Sequence, residues 1–139
     1  MTVAQAVQEI ENWLQLATLF HDPIKEALLA ILHNDDNDPS YSGLPRSPVA
    51  INAFFKGNQN KIKNLSKKGV LKKDQVDLLL PKNSNQTDSK SFDVTLIIVI
   101  IIEFTTLPPP KNGWKKSPPS NDNSIAAFVL RAREWRNRL

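Results

Sequence analysis

The residue best placed to bind an anion or a partner is Arg136, which falls among apolar residues in the last segment of the sequence. Wound as a helix, the residues after Asn121 place Arg136 within an apolar stripe. A guanidinium group keeps its charge when buried, so an inward-facing arginine requires a partner, a pocket or water. Alternatively, its methylene groups lie along the helix while the charged head reaches solvent. The stripe consists of Ile125, Phe128, Val129, Ala132 and Leu139, and Arg131 and Arg138 are predicted on the opposite face.

Other patterns that carry chemistry are missing from the 139 residues. The sequence contains no glycine-rich phosphate loop, no HExxH motif and no nucleophile elbow. It has no cysteine, which excludes disulfides and thiolate ligands and favours a reducing compartment. His33 is the last residue of a predicted helix, where a positive charge interacts favourably with the helix dipole. A structural role is therefore favoured over a catalytic one. Asp35 and Asp36 are interpreted as solvated turn residues. We therefore expect no metal and no cofactor.

The net charge of +4 is unevenly distributed along the chain. Residues 1–38 contain seven acidic residues and one lysine, whereas residues 56–82 contain eight lysines and two aspartates. Such a basic segment can attract phosphate backbones or an acidic partner, although a solvated lysine-rich surface is the more ordinary interpretation. Phe54 and Phe55 lie only at its edge, so a base-stacking surface is not evident. The candidate residues for binding RNA or a partner are Lys61, Lys63, Lys67, Lys68, Lys72, Lys73, Arg131 and Arg138.

The first half of the chain reads as a series of helices. Apolar residues between Val3 and Phe20 recur at helical spacing, beginning with Val3 and Val7. Asp22 and Pro23 have the residue types of an N-cap and a first helical position, which predicts a new helix over residues 24–32. The pair Ser47-Pro48 predicts another helix that ends near Gly57. Two further short helices are predicted around a corner at Gly69, the second ending at Pro81.

The segment from Phe92 to Phe104 is ambiguous. Its run of β-branched residues favours a buried strand, whereas its length and the helical character of its neighbours favour a helix. Thr87, Asp88 and Ser89 are candidate caps for it. The proline-rich segment from Leu107 to Ser120 predicts a non-helical connector, with Trp114 packing back onto the body.

Four stretches, taken in order, resemble the DAZ-interacting protein 3-like HEPN domain of animals. They read KKGVLKKDQVDLLLP, TDSKSFDVTLIIVIII, LPPPKNGW and PPSNDNSIAAFVLRAREWRN, and the similarity extends from about Leu44 to the last residue. The resemblance implies an all-α, HEPN-like helical bundle with a proline-rich connector before the last helix. It also implies that residues 92–104 form a central helix buried on every side. Members of this family occur inside larger signalling, immune and ubiquitin-ligase proteins as protein- or RNA-interaction modules.

The broader HEPN superfamily includes metal-independent ribonucleases with an Arg-x(4–6)-His motif, in which the arginine holds phosphate and the histidine moves a proton. Arg136 and Asn137 resemble the start of this motif and are the candidate catalytic residues. The histidine would fall at 141–143, after Leu139, so we expect this chain not to catalyse RNA cleavage by itself. We also expect a domain that is incomplete at its C-terminus, self-associating or marginally stable, with apolar surface left uncovered around Leu130 or Trp135.

Together these observations predict one HEPN-like domain over residues 1–139. Its expected function is a non-catalytic interaction module that contacts another protein or a second copy of itself. The alternative is an RNA-binding module, or a ribonuclease whose histidine lies outside the chain. We expect no signal peptide, no membrane span, no small-molecule cofactor and an intracellular, cytoplasmic location.

Overall fold

The computed structural model describes residues 2–138, apart from the side chains of Ile10, Glu11 and residues 13–20. Within this range every regular element is helical, which confirms the all-α prediction. The α-helices are α1 (Val3–His33), α2 (Pro48–Gly57), α3 (Gln59–Lys67), α4 (Lys73–Leu79), α5 (Val94–Phe104) and α6 (Ile125–Asn137), and a short 3-10 helix covers Ser89–Ser91.

Helix α5 forms the centre of the bundle, and both α1 and α6 pack against it. The prediction of a central helix is confirmed, but its burial on every side is not complete, because Thr95 is exposed. Asp93 begins the helix, because its carboxylate accepts a hydrogen bond from the Leu96 amide at 2.8 Å. Burial among other helices therefore outweighs the β-propensity of these residues, because that propensity mainly reflects how well a side chain packs on a pleated sheet. Its buried residues are Val94, Leu96, Ile97, Ile98, Ile100 and Ile101.

Helix α1 is continuous, so the predicted restart at Asp22-Pro23 is wrong. A proline inside a helix removes one backbone hydrogen bond, but Pro23 lies on the exposed side of α1 and the helical turns continue past it. The helix begins at a capping box in which Thr2 and Gln5 exchange hydrogen bonds at 2.8 and 3.1 Å. Val3 and Val7 are exposed, contrary to the predicted apolar stripe. The other predicted members of that stripe lie outside the described side chains.

The loop after α1 returns very close to the end of that helix. Asn34 ends α1 in the left-handed conformation, with φ 51°, and the Leu44 amide then donates to the Leu32 carbonyl at 2.8 Å. At Gly43 a Cβ atom would lie 2.5 Å from the same carbonyl oxygen. The approach of the two backbone segments therefore requires glycine at this position.

Helices α2, α3 and α4 form the other part of the bundle, as the caps and glycines predicted. Ser47 caps α2, and Gly69 ends the α3 corner with φ +78°. Thr87, which was a candidate cap for α5, is instead buried. Its hydroxyl donates to the Leu79 carbonyl at 2.9 Å and accepts from the Asn52 amide group at 3.1 Å. Thr87 cannot cap α5 because it links α2 to the end of α4.

Candidate interaction surfaces

Helix α6 is rotated relative to the sequence prediction. Its buried face includes Val129 and Leu130, whereas Ile125 and Phe128 are each 38% exposed. The small residues Ala126 and Ala127 are also buried, which allows α6 to lie close to α1 and α5. The predicted stripe is confirmed at Val129 and Ala132 but wrong at Ile125 and Phe128, and Leu139 lies outside the described residues. The predicted uncovered surface is wrong at Leu130, whereas Trp135 is half-buried.

Two arginines of α6 attach the proline-rich connector to the bundle. Arg133 donates to the Trp114 carbonyl and Arg131 donates to the Pro119 carbonyl, both at 2.9 Å. Trp114 is partly buried against the core, which confirms its predicted packing. Arg131 was predicted on the outer face, but it is half-buried because of its contact with the connector. Sequence reasoning missed Arg133, whose only signal was its position four residues after Val129.

The candidate catalytic residues lie at the last turn of α6, where Arg136 is half-buried and Asn137 is exposed. The hydrogen-bond partners of the histidines belong to other regions. His33 contacts the Leu44 carbonyl at 3.3 Å and the Ser89 hydroxyl at 2.9 Å, so it joins the end of α1 to two loops. His21 contacts Asp22 at 3.2 Å, and its ring centroid lies 6.4 Å from that of Trp135. His21 therefore lies near the residue that precedes Arg136, whereas the contacts of His33 are with other regions.

An open cleft of about 370 Å³ lies between the C-terminal part of α1 and the first turns of α6. We call it the α1–α6 cleft. Ile125 and Phe128 form its α6 wall, so the two large apolar residues that α6 leaves exposed both face this space. A recess lined by exposed aromatic and aliphatic side chains is typical of a binding surface. The remaining lining residues are Ala27, Ala30, Ile31, Asn34, Asp36, Asp38 and Tyr41.

Aspartates give the α1–α6 cleft a negative rim. Burial raises the pKa of Tyr41, and the negative charges of Asp38, Asp36 and Asp35 raise it further. Hydrogen bonds from Ser40 lower the pKa of Asp38 and so favour its charged form. Arg46 balances Asp35 through a 2.8 Å ion pair outside the lining residues. From the sequence, Asp35 and Asp36 were interpreted as solvated turn residues. Only the fold places Asp36 and Asp38 in the cleft that Phe128 also lines.

The predicted lysines lie on α3, on α4 and on the corner between them, all with exposed side chains. We call residues 67–73, with the sequence KKGVLKK, the lysine turn. Leu71 is buried and anchors this turn, while Val70 is 40% exposed at its tip. Lys61 differs from the other lysines, because it donates to the Glu103 carbonyl and lies 4.9 Å from the centroid of the Phe104 ring. Arg131 lies on α6 and Arg138 directly follows it, and α6 packs on α1 and α5 instead of on the lysine-bearing helices.

A second recess of about 520 Å³ has mixed chemistry, with Arg46 and Lys90 near Asp88 and uncharged polar groups. Among the side chains that the structure describes, no three or more histidine, aspartate or glutamate residues are gathered in a way that would hold a metal ion. In the same part of the chain, none of the helices combines the length and apolar character needed to cross a bilayer.

Comparison with known proteins identifies one family. The model of the DZIP3/hRUL138-like HEPN family matches residues 48–139, which extend from the start of α2 through α5, the connector and α6. Neither the search of curated proteins nor that of solved structures gave a match. The family match covers more than half of the chain and includes every motif on which the resemblance was based. The chain therefore belongs to the DZIP3/hRUL138-like HEPN family, and its all-α bundle is a HEPN-like fold.

Proposed function

We propose that this chain is a non-catalytic HEPN-like interaction module that binds protein through the α1–α6 cleft. The observation that carries the proposal is the exposure of Ile125 and Phe128 on the wall of a cleft with a negative rim. Aromatic side chains in such recesses dominate the binding energy of many protein interfaces. The module would act in the cytoplasm as part of a larger signalling, immune or ubiquitin-ligase protein, which is the setting that the family resemblance implies.

The proposal can be tested by placing a photoactivatable benzoylphenylalanine at Phe128 and irradiating cells that contain the protein. We expect cross-linked protein adducts from this position, and we expect Ile125→Asp to reduce them because a charge on the cleft wall opposes apolar contact. The matched control carries the same group at Val49, which is 51% exposed on α2. Equal labelling at the two positions, or none at Phe128, would contradict the proposal.

RNA binding is the second candidate function, and the observation that favours it is the concentration of exposed lysines on α3 and α4. Phosphate contacts release counterions, so the affinity for single-stranded RNA should fall as the salt concentration rises. The logarithm of the binding constant should decrease by about 0.7 per phosphate contact for each tenfold increase in salt concentration. Fluorescence anisotropy with a labelled oligonucleotide measures this slope. Replacing Lys67, Lys68, Lys72 and Lys73 by glutamine should flatten it. The same change at Lys111, Lys115 and Lys116, which are exposed on the connector, provides the control.

The two candidates predict different roles for the terminal arginines. If RNA is bound near the motif residues, Arg136→Ala should weaken binding more than Lys90→Ala, because Lys90 is exposed but lies outside the candidate RNA-binding residues. Arg131→Ala is an unsuitable control, since it also breaks the contact with Pro119. Equal effects of the two changes would favour a solvated role for Arg136.

A further inference from the structure

The molecule exposes two surfaces with opposite charge, each with apolar residues at its centre. The α1–α6 cleft is a recess with apolar walls and a rim that includes Asp36 and Asp38. The lysine turn is a corner whose exposed apolar residue, Val70, lies between two pairs of lysines. The cleft thus has acidic groups around an apolar floor, and the turn has basic groups around an apolar tip.

We propose that the α1–α6 cleft of one copy of this chain binds the lysine turn of a second copy. This inference rests on the proposed function, because it names the partner of the same cleft. Val70 enters the space beside Ile125 and Phe128, and the flanking lysines lie opposite the acidic rim. No new element has to fold for the contact to form, since both surfaces are already present in the single chain.

The structure of the turn suits this role. Gly69 adopts φ +78°, which an L-residue with a side chain rarely accepts, and Leu71 is only 2% exposed. The buried Leu71 therefore anchors the corner to the core, while Val70 is exposed to solvent. Its four lysines, Lys67, Lys68, Lys72 and Lys73, are exposed, so their charges are available to a partner.

The electrostatics of the cleft point to a basic partner. Asp36 and Asp38 are among the lining residues, so they are available to face lysines, whereas Asp35 forms an ion pair with Arg46. The pKa of Tyr41 in the cleft is raised first by burial and then by the negative charges of Asp38, Asp36 and Asp35. Attraction between surface charges of this kind weakens with salt. A contact of one cleft with one turn is small, so the association should be weak and transient.

The test is sedimentation velocity of the full chain from about 10 µM to about 1 mM, at about 50 mM and about 500 mM salt. We expect the average mass to rise above the monomer mass of 15.6 kDa with concentration at low salt, and to return towards it at high salt. Asp36→Lys changes the rim, and Val70→Asp changes the tip. Each should weaken association at least about tenfold, because charges of like sign then meet.

Two controls match these variants in chemistry but lie on other surfaces. Glu9→Lys makes the same charge change at an exposed position of α1, and Val49→Asp makes the same change as Val70→Asp on α2. Both should associate like the parent protein. Circular dichroism should show the same helix content for all four variants.

Mixing provides the decisive result. The Asp36→Lys protein retains an intact lysine turn, and the Val70→Asp protein retains an intact cleft. Each variant alone should stay monomeric, whereas an equimolar mixture should associate. A protein that is monomeric at every concentration, or whose association survives both variants, overturns the inference. If Phe128 then still cross-links to a different protein, the proposed function stands and only the identity of the partner is wrong.

Discussion

Single residues decide how closely the backbone segments of this bundle approach. Gly43 is the sharpest case, because a Cβ atom there would overlap the Leu32 carbonyl and the Asn34 amide nitrogen. We expect Gly43→Ala to lower the free energy of unfolding by about 1–3 kcal/mol, as the loop is pushed away from the end of α1. Urea unfolding followed by circular dichroism measures this loss.

Gly57 supplies the matched control for that substitution. It is the last residue of α2, and nothing beyond its chain neighbours and the backbone of its own helix lies within 4 Å of a Cβ placed on it. Gly57→Ala should therefore be neutral or stabilise the protein by up to about 1 kcal/mol through helix propensity. Equal losses at Gly43 and Gly57 would show that the backbone contact beside Leu32 does not limit the side chain at position 43.

Tyr41 links the stability of the cleft to alkaline pH. Its hydroxyl donates to the Ile31 carbonyl at 2.9 Å, and burial beside aspartates raises its pKa above the ordinary value of about 10. The neutral form is favoured in the folded state, so this contribution to stability is complete below about pH 10 and is lost as the pH rises through the folded pKa. Because Tyr41 is the only tyrosine, phenolate absorbance of the folded protein reports its titration directly.

The variant Tyr41→Phe tests the same prediction by unfolding. At pH 7 it should cost about 0.5–1.5 kcal/mol, because one hydrogen bond is lost while the ring stays buried. Above about pH 10 the parent protein should lose stability more steeply than the variant. Parallel losses in the two proteins would show that Tyr41 does not contribute to the alkaline transition.

At the scale of elements, α1 is a helix whose structure differs from the one that the sequence predicts. The pair Asp22-Pro23 has the chemistry of a helix start, yet α1 continues through it. In a continuous helix Pro23→Ala restores a missing hydrogen bond, and we expect about 1–2 kcal/mol of added stability after the smaller entropic advantage of proline is subtracted. Asp22→Ala should have little effect. If a new helix began at Pro23, Asp22→Ala would instead cost about 1 kcal/mol as a lost cap.

The helices whose sequence signals were local could be predicted. Ser47-Pro48 and Gly69 act through their own backbone geometry, so the bounds of α2 and the α3 corner follow from them. The burial of α5 required the family resemblance, because Val and Ile are favoured in strands unless other helices surround them. The rotation of α6 escaped prediction because Ala126 and Ala127 carry little hydrophobic signal while allowing close helix packing.

The candidate site could be predicted only in part, for a related physical reason. Exposed lysines on α3 and α4 follow from composition, since charged side chains stay in water. The α1–α6 cleft requires Asp36 and Tyr41 to line the same space as Phe128, which is far from both in sequence. No local pattern encodes their meeting. The cleft appears only when α6 packs across α1.

At the scale of the whole molecule, the proline-rich connector is hydrogen-bonded to α6, the helix that forms one wall of the cleft. Arg133 donates to the Trp114 carbonyl, and Trp114 packs against the core. Arg133→Met keeps most of the aliphatic packing and removes the donor, so the free energy of unfolding should fall by about 1 kcal/mol. Hydrogen exchange should also increase in residues 110–119, because the connector then opens without global unfolding.

Arg138→Met is the matched control, since Arg138 is exposed and should change neither quantity. A second measurement distinguishes whether Arg133 positions α6 or only holds the connector. If the connector orients α6, Arg133→Met should also reduce cross-linking from Phe128, although the two side chains occupy different parts of the helix. Unchanged cross-linking together with faster exchange would mean that the connector opens independently of the cleft. Reduced cross-linking would show that one arginine couples the connector to the binding surface.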